Sequence, residues 1–366
     1  MIRLLIADDS ALVRKLLEGV FLEEGDFEIR TARTGLEALD MVRAFDPHVV
    51  TLDVQMPGMD GLTCLGRIML EAPRPVVMIS SLTEQNADAT LSAMALGAVD
   101  VIAKPGGTFS LELDRLRPLL VATIRSAAQA KIRPTHRLAD RIRHQFRDAA
   151  SSPRAKAARR GAARQRAKAE PAPGLVLIGT STGGPAALNI LLPQLPADFP
   201  WPVLIAQHLP ATFTGAFAKR LDRECALNVV EVDVPRQLEP GTVYIGRGDA
   251  DVIVAPRPSG LIALSVPARR DYPWHPSVER MVDSALEHYD GKRLLGVLMT
   301  GMGDDGATAM TRLQALGGRT IAEAESTAVV WGMPGELVRQ GGATLVLPVE
   351  EIAAAVIEWG NADAAD

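Results

Sequence analysis

Residues 294–306 read LLGVLMTGMGDDG. An apolar run ends in a glycine-rich turn, and ATAMTRLQAL, which has helical spacing, follows it. A strand, a tight turn and a helix are expected here. Gly301, Gly303 and Gly306 spell G-x-G-x-x-G at that turn, and Glu323 lies twenty-two residues beyond Gly301. Both features fit a dinucleotide site with an acid on a ribose hydroxyl. Asp304 and Asp305 argue against it. A pyrophosphate would have to sit on the backbone N–H groups of this loop, and two carboxylates inside the loop oppose it by about 1–4 kcal/mol each. The glycines are better explained as a turn that delivers a carboxylate to a sheet edge.

The same alternation fills residues 2–124. RLLIA, HVVTLDV, RPVVMIS and AVDVIA look like buried parallel strands, and SALVRKLLEGVFLEE and GLEALDMVRAF have apolar residues at helical spacing. This is the pattern of a doubly wound sheet, whose crevice lies at the carboxyl ends of its strands. Asp8 and Asp9 end one run, Asp53 another, Ser80 and Ser81 a third, and Lys104 a fourth, before Pro105. Three carboxylates converging in one crevice repel each other unless a cation is present, and a hard, oxygen-seeking ion such as Mg2+ suits them. A carboxylate beside Mg2+ and a lysine can accept a phosphoryl group as a nucleophile.

GLVLIGTSTGGP (174–185) is a further apolar run with a glycine-rich exit, and it contains G-x-S-x-G. Small neighbours let the backbone turn sharply and leave Ser181 exposed at the N-terminus of the next helix, among backbone N–H groups. A catalytic serine and a plain phosphate cradle both fit this motif. A nucleophilic serine needs a base. PVLIAQHLP (202–210) places His208 just after another strand, at the same edge as Ser181. His275, in YPWHPS, is the main rival. The base needs an orienting acid, which Asp304 or Asp305 can supply. Ser, His, Asp is not the chain order of the α/β-hydrolases.

A chain of 366 residues suggests two domains. Residues 131–168 carry a net +11 in a chain of net −5, leaving −16 on the rest, so they read as a basic linker between two acidic domains. The linker is either a solvated spacer or an attractor of an acidic partner. A nucleic-acid arm finds no aromatic interleaving to support it. Cys64 and Cys225 lack a metal-ligand pattern and fit a reducing compartment. Asp8 and Asp9 come too early for a signal-peptide core, and no apolar run approaches the ~18 residues of a membrane span. A cytoplasmic protein without membrane insertion is expected.

DDS (8–10), LDVQMPGMDG (52–61), MISS (78–81) and AKP (103–105) resemble the receiver domain of two-component response regulators. The resemblance implies that Asp53 accepts the phosphoryl group. It implies that Asp8, Asp9, Asp53 and the Gln55 carbonyl hold Mg2+, that Ser80 senses the phosphoryl group and that Lys104 contacts it. Val101 stands where receivers often carry an aromatic switch residue. IGTSTGGP, QHLP, HPSVERM, LMTGMGDDGA and VVWGMP resemble the catalytic domain of chemotaxis protein-glutamate methylesterases, the CheB family. That family joins a receiver, a linker and this domain. The implied fold is α/β: a flavodoxin-like receiver (1–125), a basic linker (126–172) and a Rossmann-like catalytic domain (173–362), both sheets doubly wound and parallel. The implied roles are Ser181 as nucleophile, His208 as base, Asp305 as acid and the Met302 N–H as oxyanion donor, with no cofactor for the esterase. Asp304 falls on a variable motif position and is expected to face solvent or cap the following helix. The implied partners are methylated chemoreceptor helices as substrate and the pathway's histidine kinase as phosphodonor. Demethylation, and in many members glutamine deamidation, is the implied chemistry.

Overall fold

The computed structural model describes residues 1–81, 84–104, 109–132 and 174–362. The linker expected at 126–172 therefore lies, from residue 133 onward, outside the described residues, as do Pro105, His136 and His144. The chain divides into two compact units, Met1–Ser151 and Ser152–Asp366.

In the first unit, β1 (Ile2–Ala7), β2 (Phe27–Ala32), β3 (Val49–Asp53), β4 (Val76–Ser81) and β5 (Asp100–Lys104) form one sheet in the order β2-β1-β3-β4-β5. Every pairing is parallel. Strand β3 is buried along its whole length, as a parallel strand covered by helices on both faces should be. The helices start where the sequence supplies caps. Ser10, Thr34 and Asp60 each accept an N–H from the first turn of the helix that follows. Gly25 ends the first helix at φ +75°, a conformation that disfavours other residues. The last helix, Phe109–Ala128, runs past residue 125.

The second unit is built on β6 (Leu175–Thr180), β7 (Val203–Gln207), β8 (Asn228–Val232), β9 (Arg236–Gln237), β10 (Thr242–Gly246), β11 (Ala250–Arg257), β12 (Gly260–Pro267), β13 (Leu294–Leu298), β14 (Arg319–Glu323) and β15 (Leu345–Leu347). Seven of them form a sheet in the order β15-β14-β13-β6-β7-β10-β8. Its pairings are all parallel. Strands β6, β7, β10 and β13 are buried throughout. The chain winds outward from β6 in both directions, so β13, β6 and β7 lie side by side at the switch point where such sheets place their ligands. A small antiparallel sheet, β11-β12-β9, was not expected from the sequence. Beside it packs the helix Val278–Leu286, whose N-cap is Ser277.

Candidate active site

The centre of the seven-stranded sheet brings the three hydrolytic candidates together. Register pairs Thr180 with Gln207 and Gly179 with Leu298, so Ser181, His208 and the turn after β13 leave the sheet at one level. Ser181 is 8% exposed, and its N–H donates to the Thr300 carbonyl at 3.0 Å. Gly301 packs against it: a Cβ there would lie 2.8 Å from the Ser181 Cβ and 2.3 Å from Met333 Sδ. The glycine is required by this approach and not by a phosphate.

His208 donates its backbone N–H to the Thr180 carbonyl at 3.1 Å, and its ring Nε2 lies 2.9 Å from Asp305 Oδ2. The other ring nitrogen, Nδ1, is buried and has no hydrogen-bond partner. It is the nitrogen left for Ser181. Gln207 is 1% exposed, and its amide donates to the carbonyls of both Ser181 (3.0 Å) and His208 (3.1 Å). It clamps the Ser181 loop to the His208 loop. The Trp274 indole stacks on the His208 ring, with centroids 5.7 Å apart and planes 12° from parallel.

Asp305 is 9% exposed and fully engaged. Besides His208 it accepts the Val278 N–H (2.7 Å), the Glu279 N–H (3.0 Å) and the Ser277 hydroxyl (3.0 Å). Its carboxylate thus sits on the N-terminus of the helix Val278–Leu286, where a negative charge gains about 0.3–2 kcal/mol. Burial alone would raise its pKa, but His208 and the two backbone N–H groups outweigh that and hold the carboxyl below the usual range. Asp305 is therefore ionised at neutral pH and fixes the His208 tautomer. Asp304 is exposed. Gly306, at φ +87°, caps the helix Ala307–Ala315 without a side-chain bond, so of the two positions expected for Asp304 the structure takes solvent and not the helix cap.

His275, the rival base, points elsewhere. Its Nδ1 lies 2.8 Å from Asp251 Oδ1, and Asp251, fully buried, also takes Arg280 Nη1 at 2.6 Å and the Ser277 N–H at 2.9 Å. This cluster shapes the segment that carries Trp274 and Ser277. Glu323 does not face a nucleotide either. It is 1% exposed and accepts the Thr300 N–H at 2.8 Å. Sequence reasoning missed Gln207, Trp274, Ser277 and Thr300. Only the place of Gln207 at the end of β7 offered a signal.

The receiver candidates also converge. Lys104 Nζ lies 2.8 Å from Asp8 Oδ2 and 2.7 Å from Asp53 Oδ2. Asp8, Asp9 and Asp53 each bring a carboxylate oxygen within 4.8 Å of the others. Burial, followed by Lys104 in opposition and Asp8 in support, leaves the Asp53 pKa raised. One lysine cannot balance three carboxylates, so the donor set fits a divalent cation. Asp9 and Gln55 are exposed at the rim, and Ser80 is fully buried. Val101 is 5% exposed on β5.

Residues 4–112 match the family model of the response regulator receiver domain, and residues 176–356 that of CheB methylesterase. The chain is 49% identical to a protein-glutamate methylesterase/protein-glutamine glutaminase of Rhodospirillum rubrum, over 98% of this chain and 96% of that protein. It is 42% identical to another so named from Caldanaerobacter subterraneus, over 98% of this chain and 97% of that one. The crystal structure of the CheB methylesterase catalytic domain of Thermotoga maritima is 36% identical and covers 50% of this chain and 97% of its own, with a TM-score of 0.49. With a receiver model on one unit, a methylesterase model on the other and relatives matched end to end, this chain belongs to the CheB family of response-regulator methylesterases.

Proposed function

We propose that this protein is a phosphorylation-controlled serine hydrolase that demethylates glutamyl methyl esters on chemoreceptors, releasing methanol, and deamidates receptor glutamines. The observation that carries the reading is the Asp305 carboxyl on His208 Nε2, with a second, unpartnered ring nitrogen beside the strand that delivers Ser181. Ser181 Oγ attacks the γ-carbonyl, and His208 Nδ1 takes its proton. Asp305 stabilises the imidazolium without taking the proton itself. The Met302 N–H meets the oxyanion. His208 then protonates the leaving methoxide oxygen to give methanol, or the leaving amide nitrogen of a glutamine to give ammonia. Water, deprotonated by His208, releases glutamate from Ser181.

In the receiver, Asp53 is the phosphoryl acceptor and the pathway's histidine kinase the donor. Asp8, Asp9, Asp53 and the Gln55 carbonyl would hold Mg2+, which when bound neutralises charge on the incoming phosphoryl group. Lys104 contacts that group and Ser80 senses it. Among the described residues no helix is long and apolar enough to cross a membrane, which fits a cytoplasmic enzyme acting on the cytoplasmic helices of receptors.

The test is methanol release from methylated receptors, with and without a small phosphodonor and Mg2+. Wild type should turn over faster with the donor, and Asp53→Asn should not respond. No methanol from any methylated receptor under either condition would refute the reading.

A further inference from the structure

The mechanism above leaves Glu323 without a task, although a buried carboxylate is costly and its position is demanding. Its Oε2 accepts the Thr300 N–H at 2.8 Å and its Oε1 the Thr327 hydroxyl at 3.0 Å. Its backbone carbonyl accepts Trp331 Nε1 at 2.7 Å. Thr300 is pinned at every polar atom. Its carbonyl takes the Ser181 N–H at 3.0 Å and the Thr180 hydroxyl at 3.1 Å, and its own hydroxyl donates to the Thr182 carbonyl at 2.9 Å. Thr300 therefore touches all three residues of the nucleophile turn. The segment tied by Thr327 and Trp331 supplies the other wall, since the Val330 carbonyl takes the Gly301 N–H at 3.0 Å. Glu323 thus holds Thr300 directly and the segment facing Gly301 through Thr327 and Trp331.

We infer that Glu323 is a positioning residue: through Thr300 it sets the distance between Ser181 and the turn that carries the Met302 N–H. This rests on the hydrolase reading. What the position needs is an acceptor at the reach of a glutamyl side chain, not a charge. A glutamine meets the same partners, its carbonyl on the Thr300 N–H and its amide on the Thr327 hydroxyl, which turns its own hydrogen to the Ala324 carbonyl at 3.4 Å. An aspartate is one methylene short of Thr300. Small displacements of groups aligned for reaction lower kcat and leave ground-state binding alone.

The experiment compares Glu323→Asp and Glu323→Gln in the full chain, phosphorylated, with methanol release and capture of Ser181 by a small fluorophosphonate as readouts. Glu323→Asp should lose tenfold or more in kcat per folded molecule with KM within twofold, and its capture rate should fall in step. Glu323→Gln should stay within threefold of wild type in both. A folded Glu323→Asp with kcat within twofold of wild type, or with its loss in KM, would overturn the inference, because a merely structural brace lowers stability and not turnover. A tenfold loss in Glu323→Gln would overturn it too. Should Glu323→Asp fail to fold, Thr327→Val frees the second wall and should lower kcat at least threefold; unchanged kcat there counts against the inference. If wild type releases no methanol, the functional reading fails and the capture rates alone decide the role of Glu323.

Discussion

Replacing Glu323 by glutamine should change how the stability of the second unit depends on pH. Burial pushes the Glu323 carboxyl up to about 7 from 4.5, against the opposing hydrogen bonds of Thr300 and Thr327 and with a further push from Glu350. Below pH 4.5 both folded and unfolded chains hold this proton. Between 4.5 and 7 the folded chain keeps it while the unfolded chain loses it, so stability falls as pH rises through that window and is level above it. The gap between 4.5 and about 7 amounts to about 3 kcal/mol, most of which falls between pH 5 and pH 8. The side chain is 1% exposed, so solvent screening takes little away. All four tryptophans, Trp201, Trp274, Trp331 and Trp359, lie in the second unit. Urea unfolding of the full chain followed by tryptophan fluorescence therefore reports on this unit alone. The stability of Glu323→Gln relative to wild type should rise by roughly 2 kcal/mol or more from pH 5 to pH 8, the remaining titrations cancelling in the difference. A difference that moves by less than about 1 kcal/mol would show that the folded-state carboxyl titrates near its ordinary value, and the reasoning from burial would be wrong.

Ser181→Ala should abolish methanol release and leave phosphorylation of Asp53 intact, since the two chemistries sit on separate units; loss of both in a folded variant contradicts this. His208→Gln should match Ser181→Ala in a methanol assay, whereas His275→Gln, which only loosens the Asp251 cluster, should keep most turnover; the opposite result would reassign the base. Asp305→Asn should cut kcat between tenfold and about 10⁴-fold. It should also destabilise by about 1–3 kcal/mol, because an amide must set a donor against one of the N–H groups now bound there. Asp304→Asn should change kcat less than about threefold, and the reverse ranking on one methylated receptor would undo the assignment of the acid.

Much of the fold was legible because the central strands are uniform apolar runs. β1, β3, β6, β7 and β13 are buried along most or all of their length, and each ends at, or leads into a turn that carries, a side chain with chemistry to offer. β2 was missed because an edge strand alternates: FEIRTA exposes charged side chains between its buried ends. β8, β11 and β12 have mixed burial, so none stands out as a uniformly buried run. In the site, Ser181, His208 and the pair Asp304 and Asp305 were marked by glycine turns and strand ends, and the family resemblance chose Asp305 within that pair. Gln207, Trp274 and Ser277 act through partners that only the folded chain brings near. Glu323 shows the hazard of spacing. It lies where a ribose acid should, because any strand–helix–strand unit returns the chain to the sheet edge at about that distance. Its burial decides its role, and burial is not a property of spacing.

The proposed pairing of Ser181 with His208 Nδ1 follows from the same strand geometry. Ser181 and His208 each follow one member of the pair Thr180–Gln207 on adjacent parallel strands. Their backbones are thus about one strand spacing apart, near 5 Å. The bond from the His208 N–H to the Thr180 carbonyl and the Gln207 clamp hold them there. A serine reaches only one atom beyond its Cβ, so a backbone this close favours the proximal ring nitrogen, Nδ1, which is buried and unpartnered, as its partner in the proposed mechanism. The distal nitrogen is left to span the site toward Asp305, which the chain presents from β13 on the far side of β6. Here the sheet sets Ser181 and His208 as neighbours, and Asp305 takes the distal ring nitrogen. The helix Val278–Leu286 then completes the arrangement, because its N-terminal N–H groups keep Asp305 charged and fixed in a site too buried for water to do so.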